Sequence, residues 1–281
     1  MASQSSEPAK PQSALPFDPS PYHRQHTPLF NRNLTPRYLY RLVAPQTAGS
    51  TTTSTVVLPT AIQHQTDIFH LPTQNAATLL LNHLLWERGH EDGCNLMSWT
   101  SSLLFAFQYA LYRHRKDGDD LNQIQLIILD TTLFPRGTFM QDMEIMRSFA
   151  ASDSRLQRFV EFRESKYYFG EYISQGRLSI QNRCACTSVQ KMIDLGLFQL
   201  LADRTQCWPK RVLAFREQFT SGKLVPTPDF HVETAVDISR QCFGGQWAVP
   251  VAIMLLALLP RKADDTTLME GFKARFTGKT K

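Results

Sequence analysis

Four side chains at separate places in the sequence could do chemistry together. Glu171 lies in the aromatic run Tyr167-Tyr-Phe-Gly-Glu-Tyr-Ile173, which has the composition of a strand. A carboxylate on the same strand face as Phe169 and Ile173 is costly to bury alone. It is therefore expected either to act on a ligand or to pair with an arginine. Arg41 falls in Tyr38-Leu-Tyr-Arg-Leu-Val43, a second strand-like stretch. A guanidinium makes paired hydrogen bonds to phosphate oxygens better than an ammonium does; its plainer role is to pair with an acid at a sheet end. Ser98 and Thr100 close the short strand Leu96-Met-Ser-Trp-Thr100. Their hydroxyls can orient a ligand, or they can simply cap the following helix.

The elements that must position these groups follow from pattern. Ile124 to Asp130 is a nearly continuous apolar run and reads as a buried central strand. A helix begins after Thr73, with Ala77, Leu80, Leu81, Leu84 and Leu85 on one stripe, and His83 on it reads as an interior or rim histidine. Residues 89–95 read as loop. Ser101 or Ser102 caps a helix running to about His114, with Ala106 and Ala110 on one face. Further helices are expected from about Met140 to Phe149, Ser154 to Arg163, Val189 to Leu197 and Trp208 to Phe219. Gln175-Gly176 supplies a turn before Arg177 to Ile180. The uncharged run Trp247 to Leu259 falls short of the roughly 20 apolar residues that span a membrane. It reads as a core helix with Pro250 in its first turn.

The chain has 281 residues, 42% hydrophobic and 11% aromatic, enough for one sizeable core. The expected fold is α+β, with a split mixed β-sheet core, flanking helices and a helical C-terminal part. Residues 1–35, rich in Pro, Ser, Gln and His, read as a disordered arm. Residues 36–260 read as a single domain, and 261–281 as a basic tail. Five cysteines, odd in number and irregularly spaced, and no signal-peptide-like start lead us to expect reduced thiols in a cytoplasmic or nuclear protein. Cys184-Ala-Cys186 has no matching second pair, so no metal is expected. The 30 Lys and Arg residues behind the net charge of +5 are scattered among 25 acids, which argues against nucleic acid as a partner.

In this order and context the motifs resemble the ADP-ribosyltransferase superfamily, particularly the group with Arg, Ser-Thr-Ser and Glu motifs that includes enterotoxin A chains. Leu39-Tyr40-Arg41 resembles the strand carrying the family arginine. Ser98-Trp99-Thr100 stands in the place of Ser-Thr-Ser, and Glu171-Tyr-Ile-Ser-Gln-Gly176 is similar to the catalytic glutamate and its glycine turn. The resemblance covers about residues 36–180. The chain also resembles a family of fungal proteins of unknown function that shares Pro36-Arg-Tyr-Leu, Ser98-Trp-Thr-Ser-Ser and Glu171-Tyr-Ile.

The short apolar run leaves no membrane partner expected, and the resemblance implies NAD as substrate, or another small nucleotide as ligand, an unknown acceptor, and transfer or NAD glycohydrolysis as the reaction. Glu171 would stabilise the oxocarbenium-like state reached as the nicotinamide–ribose bond breaks. Arg41 would hold the pyrophosphate, Ser98 would position Glu171 and the ribose, and Thr100 would support the same wall, all in one concavity between two sheets. Trp99 in place of the small central Thr, and Phe169 where arginine-modifying members carry Glu or Gln, disfavour arginine as acceptor. The competing class is a non-catalytic binding or accessory protein on the same fold.

Overall fold

The computed structural model describes residues 14–47, 49–52, 54–57, 65–85, 94–201, 208–221, 224, 226–262 and 264–276. Two short helices, α1 (Pro21–Arg24) and α2 (Pro28–Arg32), each start on a proline whose missing N–H costs nothing there. β1 (Tyr38–Val43), β2 (Ser50–Thr51) and β3 (Thr55–Val57) precede α3 (Thr73–Leu85). β4 (Leu96–Thr100) leads into α4 (Leu103–Asp117), where Ser102 Oγ accepts from the Phe105 N–H and Gly118 ends the helix at φ +73. β5 (Gln125–Asp130), β6 (Met140–Gln141), α5 (Asp142–Phe149) and α6 (Ser154–Glu164) follow. Then come β7 (Glu171–Gln175), β8 (Leu178–Ser179), β9 (Cys184–Ser188), α7 (Val189–Asp194) and α8 (Leu197–Leu200). α9 (Trp208–Ser221), α10 (Asp229–Ile238), α11 (Ala248–Leu256) and α12 (Thr266–Phe276) complete the chain. No described helix is long and apolar enough to cross a membrane.

The large sheet has the order β6-β7-β4-β1-β5-β9, and a small sheet has the order β2-β3-β8. Every strand pairing is antiparallel, which corrects the expectation of a mixed sheet. The reason is topological. β4 and β5, joined by α4, run in the same direction, but β1 lies between them and is antiparallel to both. The helical crossover therefore leaves no parallel ladder. The chain passes from the large sheet to the small one at Gly176, whose φ is +68.

Alternation along the strands divides the large sheet between two apolar environments. Tyr40, Leu126 and Ile128 face α4 and the C-terminal helices, in a core that includes Phe107, Val212, Val236 and Leu255. Leu96 and Ile173 continue that face under α3, α5 and α6. Leu39, Met97, Trp99, Ile127 and Tyr172 face the other way, toward Val56 and Leu178 of the small sheet. The C-terminal helices thus share one core with β1 and β5.

Two stretches differ from their sequence reading, and a third, β9, has none. From Ala14 to Thr35 the expected disordered arm is packed: Ala14 and Phe17 are buried, and Leu15 bridges to Gln175. Glu144 accepts the backbone N–H groups of Leu29 and Phe30 at 2.6 and 3.1 Å. Those long-range backbone bonds are invisible to composition; residues 1–13 lie outside the described ones. β9 arises from small residues with little strand character, drawn into the ladder by β5. Within the expected tail, α12 is fixed by the Arg275 guanidinium, which donates to both Asp229 oxygens at 3.0 and 2.8 Å; residues 277–281 lie outside the described ones. Residues 89–93 of the expected loop are also outside them.

Glu171 starts β7 instead of lying inside it, because Gly170 has φ +70 and breaks the extended run after Phe169. The Ser101 side chain fills the space a Cβ at Gly170 would need, whereas nothing lies within 4 Å at Gly118, whose φ is +73. Gly170→Ala is therefore expected to lose about 2 to 4 kcal/mol and Gly118→Ala about 1 kcal/mol in urea denaturation, the excess being steric. Equal losses would show that Ser101 yields freely.

Candidate functional site

The ladder between β1 and β4 has a single register pair, Tyr40 with Thr100, while β1 pairs with β5 along all six residues from Tyr38/Asp130 to Val43/Gln125. Beyond Tyr40, Arg41 reaches across, and its Nη1 donates to the Ser98 carbonyl at 2.8 Å. Its guanidinium lies 5.8 Å from the Trp99 ring centre. Ser98 is the one position of β4 that is not buried. Its Oγ lies 2.9 Å from His83 Nε2 on α3, and His83 Nδ1 lies 3.4 Å from Cys94 Sγ.

Arg41 and His83 keep some exposed surface, yet their polar ends are desolvated. Burial lowers the Arg41 guanidinium to about 10, partly offset by Tyr109, and Arg41 Nε is buried with no partner among the described residues. Burial also drives His83 down to about 4; Glu171 opposes this and Arg41 adds to it. His83 is therefore a neutral imidazole at physiological pH. His83 thus lies close enough to both Arg41 and Glu171 to feel their charges.

Glu171, opposite Thr100 on the neighbouring strand, accepts from Arg163 Nη2 at 2.5 Å. Arg163 rests on the Phe159 ring and places Nη1 3.5 Å from Asp142, whose side chain has no exposed surface. Burial raises the Asp142 carboxyl well above the usual carboxylate range; the nearby Glu171 charge adds to this and Arg163 opposes it. Burial alone would lower Arg163, but the two carboxylates outweigh it and hold the guanidinium charged. One arginine thus serves two acids, of which Asp142 is the one driven toward its neutral form.

The domain of unknown function DUF7587 matches residues 34–182. The chain belongs to this family. No curated protein and no solved structure matches the chain. The DUF7587 span holds β1 to β8 and every residue named above, while β9 and the later helices lie beyond it.

Within the DUF7587 domain, then, Arg41 and Ser98 meet directly, and Glu171 stands one strand further on. Thr100 is withdrawn: its hydroxyl donates to the Phe169 carbonyl at 2.9 Å and accepts the Ser102 N–H at 3.0 Å, which is capping chemistry. Ser98 is held by His83, not by Glu171. His83, Cys94, Arg163 and Asp142 were not singled out from sequence as site residues. The one signal for Arg163 was the argument that Glu171 needs a partner, which fixed the residue type but not its position.

Asp142 also gives this domain a pH dependence. Its proton is held more tightly in the folded chain than in the unfolded one, so stability falls as pH rises from the ordinary carboxylate value through the raised folded value. Urea denaturation from about pH 5 to about pH 8 should show this decline, with a limiting slope of about 1.4 kcal/mol per pH unit. Asp142→Asn should flatten it. A variant that declines as steeply as the wild type would place the proton elsewhere.

Proposed function

We propose that the chain is an ADP-ribosyltransferase-like protein that binds NAD at the gap between β1 and β4, and transfers or hydrolyses its ADP-ribosyl group. The observation that carries this reading is that the strands bearing Glu171, Ser98 and Arg41 are immediate neighbours in the order β7-β4-β1, with part-exposed Ser98 where β4 and β1 cease to pair. A guanidinium whose buried Nε has no partner among the described residues suits a pyrophosphate. Glu171 is a nearby carboxylate suited to an oxocarbenium-like ribose, and its side chain keeps 16% of its surface exposed.

Of the two departures from the superfamily pattern, Trp99 borders the gap, with the Arg41 guanidinium 5.8 Å from its ring centre, and Phe169 is buried in the core. Trp99 donates through Nε1 to Ser174 Oγ at 2.8 Å. Phe169 is buried against Phe105 with Arg216 over its ring, so an apolar group closes the place where arginine-modifying members carry a polar one. An acceptor other than arginine, or water, fits better.

A second reading, a non-catalytic binding or accessory protein on the same fold, is favoured by the Arg163–Glu171 pair, since an ion pair satisfies the carboxylate without any substrate. Calorimetry with NAD and an assay of nicotinamide release separate the two. Wild type is expected to bind NAD and release nicotinamide. Glu171→Gln should cut the rate by roughly 100-fold or more with the fold intact, and Arg41→Ala should raise KM more than it lowers kcat. NAD binding without nicotinamide release would favour the accessory reading, and no NAD binding would remove the nucleotide altogether.

A further inference from the structure

Ser98, His83 and Cys94 form a chain of three polar groups, and its hydrogen arrangement decides what Ser98 can do. A neutral imidazole has one N–H, so two arrangements are open. In the first, Ser98 donates to Nε2 and the Nδ1–H points at sulfur, which makes Ser98 a hydroxyl poised to lose its proton to histidine. In the second, the Cys94 thiol donates to Nδ1 and the Nε2–H donates to Ser98 Oγ. The serine hydrogen is then directed outward.

Sulfur is a weak acceptor, whereas a hydroxyl oxygen and an imidazole nitrogen are good ones, so the second arrangement gives each donor the better acceptor. Burial pushes the Cys94 thiol up to about 11, so it retains the hydrogen that this arrangement needs. An imidazole driven down to about 4 is also a poor base for a serine near neutral pH. On the other side of Ser98, Arg41 is fixed through Nη1, and its Nε has no partner among the described residues. Donors therefore gather at the gap, and the ligand group that completes them is an acceptor.

We propose that His83 is a positioning residue that holds Ser98 as a hydrogen-bond donor, so that the Ser98 hydroxyl and the Arg41 guanidinium together grip a phosphate or ribose oxygen of a nucleotide. The ligand part of this inference rests on the NAD reading above; the hydrogen arrangement does not. It excludes Ser98 as a nucleophile activated by His83.

Nitrogen-15 NMR of the full chain labelled at histidine tests the arrangement without any ligand. His83 should carry its hydrogen on Nε2, with Nδ1 bare; a hydrogen on Nδ1 would overturn the proposal. Calorimetry with NAD then tests the consequence. His83→Gln, whose amide can still donate toward Ser98, should bind NAD within about threefold of wild type, whereas His83→Leu and Ser98→Ala should each weaken binding about tenfold. Full NAD affinity in His83→Leu, with wild type binding NAD, would also overturn it. If wild type binds no NAD, the nucleotide reading fails by itself, and the His83 tautomer still decides the role of the relay.

Discussion

Arg41 Nη1 donates to the Ser98 carbonyl where β1 and β4 stop pairing. In an unbroken ladder that carbonyl would be met by a backbone N–H; here a side chain from β1 meets it instead, and the strands can part without leaving the oxygen unsatisfied. The rest of the site depends on this substitution. It leaves Ser98 part-exposed between the buried neighbours Met97 and Trp99, and it brings a cation into the middle of the sheet. The remaining β1 pairings, all six to β5, hold the strand in place while its other edge opens.

Charge balance shapes the neighbourhood of Glu171. Arg163 faces two acids, and burial pushes Asp142 toward its neutral form, so a net pairing of one cation with one anion is the favoured state. Glu171 keeps a fixed direction at the start of β7 because Gly170 turns the chain just before it and Ser101 backs onto that turn. His83 is near enough to feel both Glu171 and Arg41, and because it is neutral it adds no third charge. The same helix stripe that buries Leu80, Leu81 and Leu84 in the core brings His83 to Ser98.

Much of the frame was legible because periodicity reports burial. The apolar run of β5, the strand-like composition of β1 and the Ser102-capped α4 all lie where the sequence puts them. Antiparallel order was not legible, since it depends on β1 being inserted between strands that follow it in sequence. Residues 14–35 escaped because they are held by backbone N–H groups on the buried carboxylates of Asp67 and Glu144 as much as by apolar contact. At the site, Glu171 was readable as a carboxylate in need of a partner. Arg163, on the largely exposed helix α6, gave no local sign of being that partner. His83 looked like an interior histidine because its partners, Ser98 and Cys94, approach it only in space.

The central claim is that a nucleotide occupies the β1–β4 gap and completes the donor set of Arg41. It is tested most directly by following the Arg41 Nε–H resonance of the full chain by NMR as NAD is added. The account predicts a saturable shift of that signal, accompanied by His83 and by the backbone of Ser98, and absent in Arg41→Lys. An Arg41 Nε–H signal that stays fixed while NAD binds and moves residues elsewhere would contradict it.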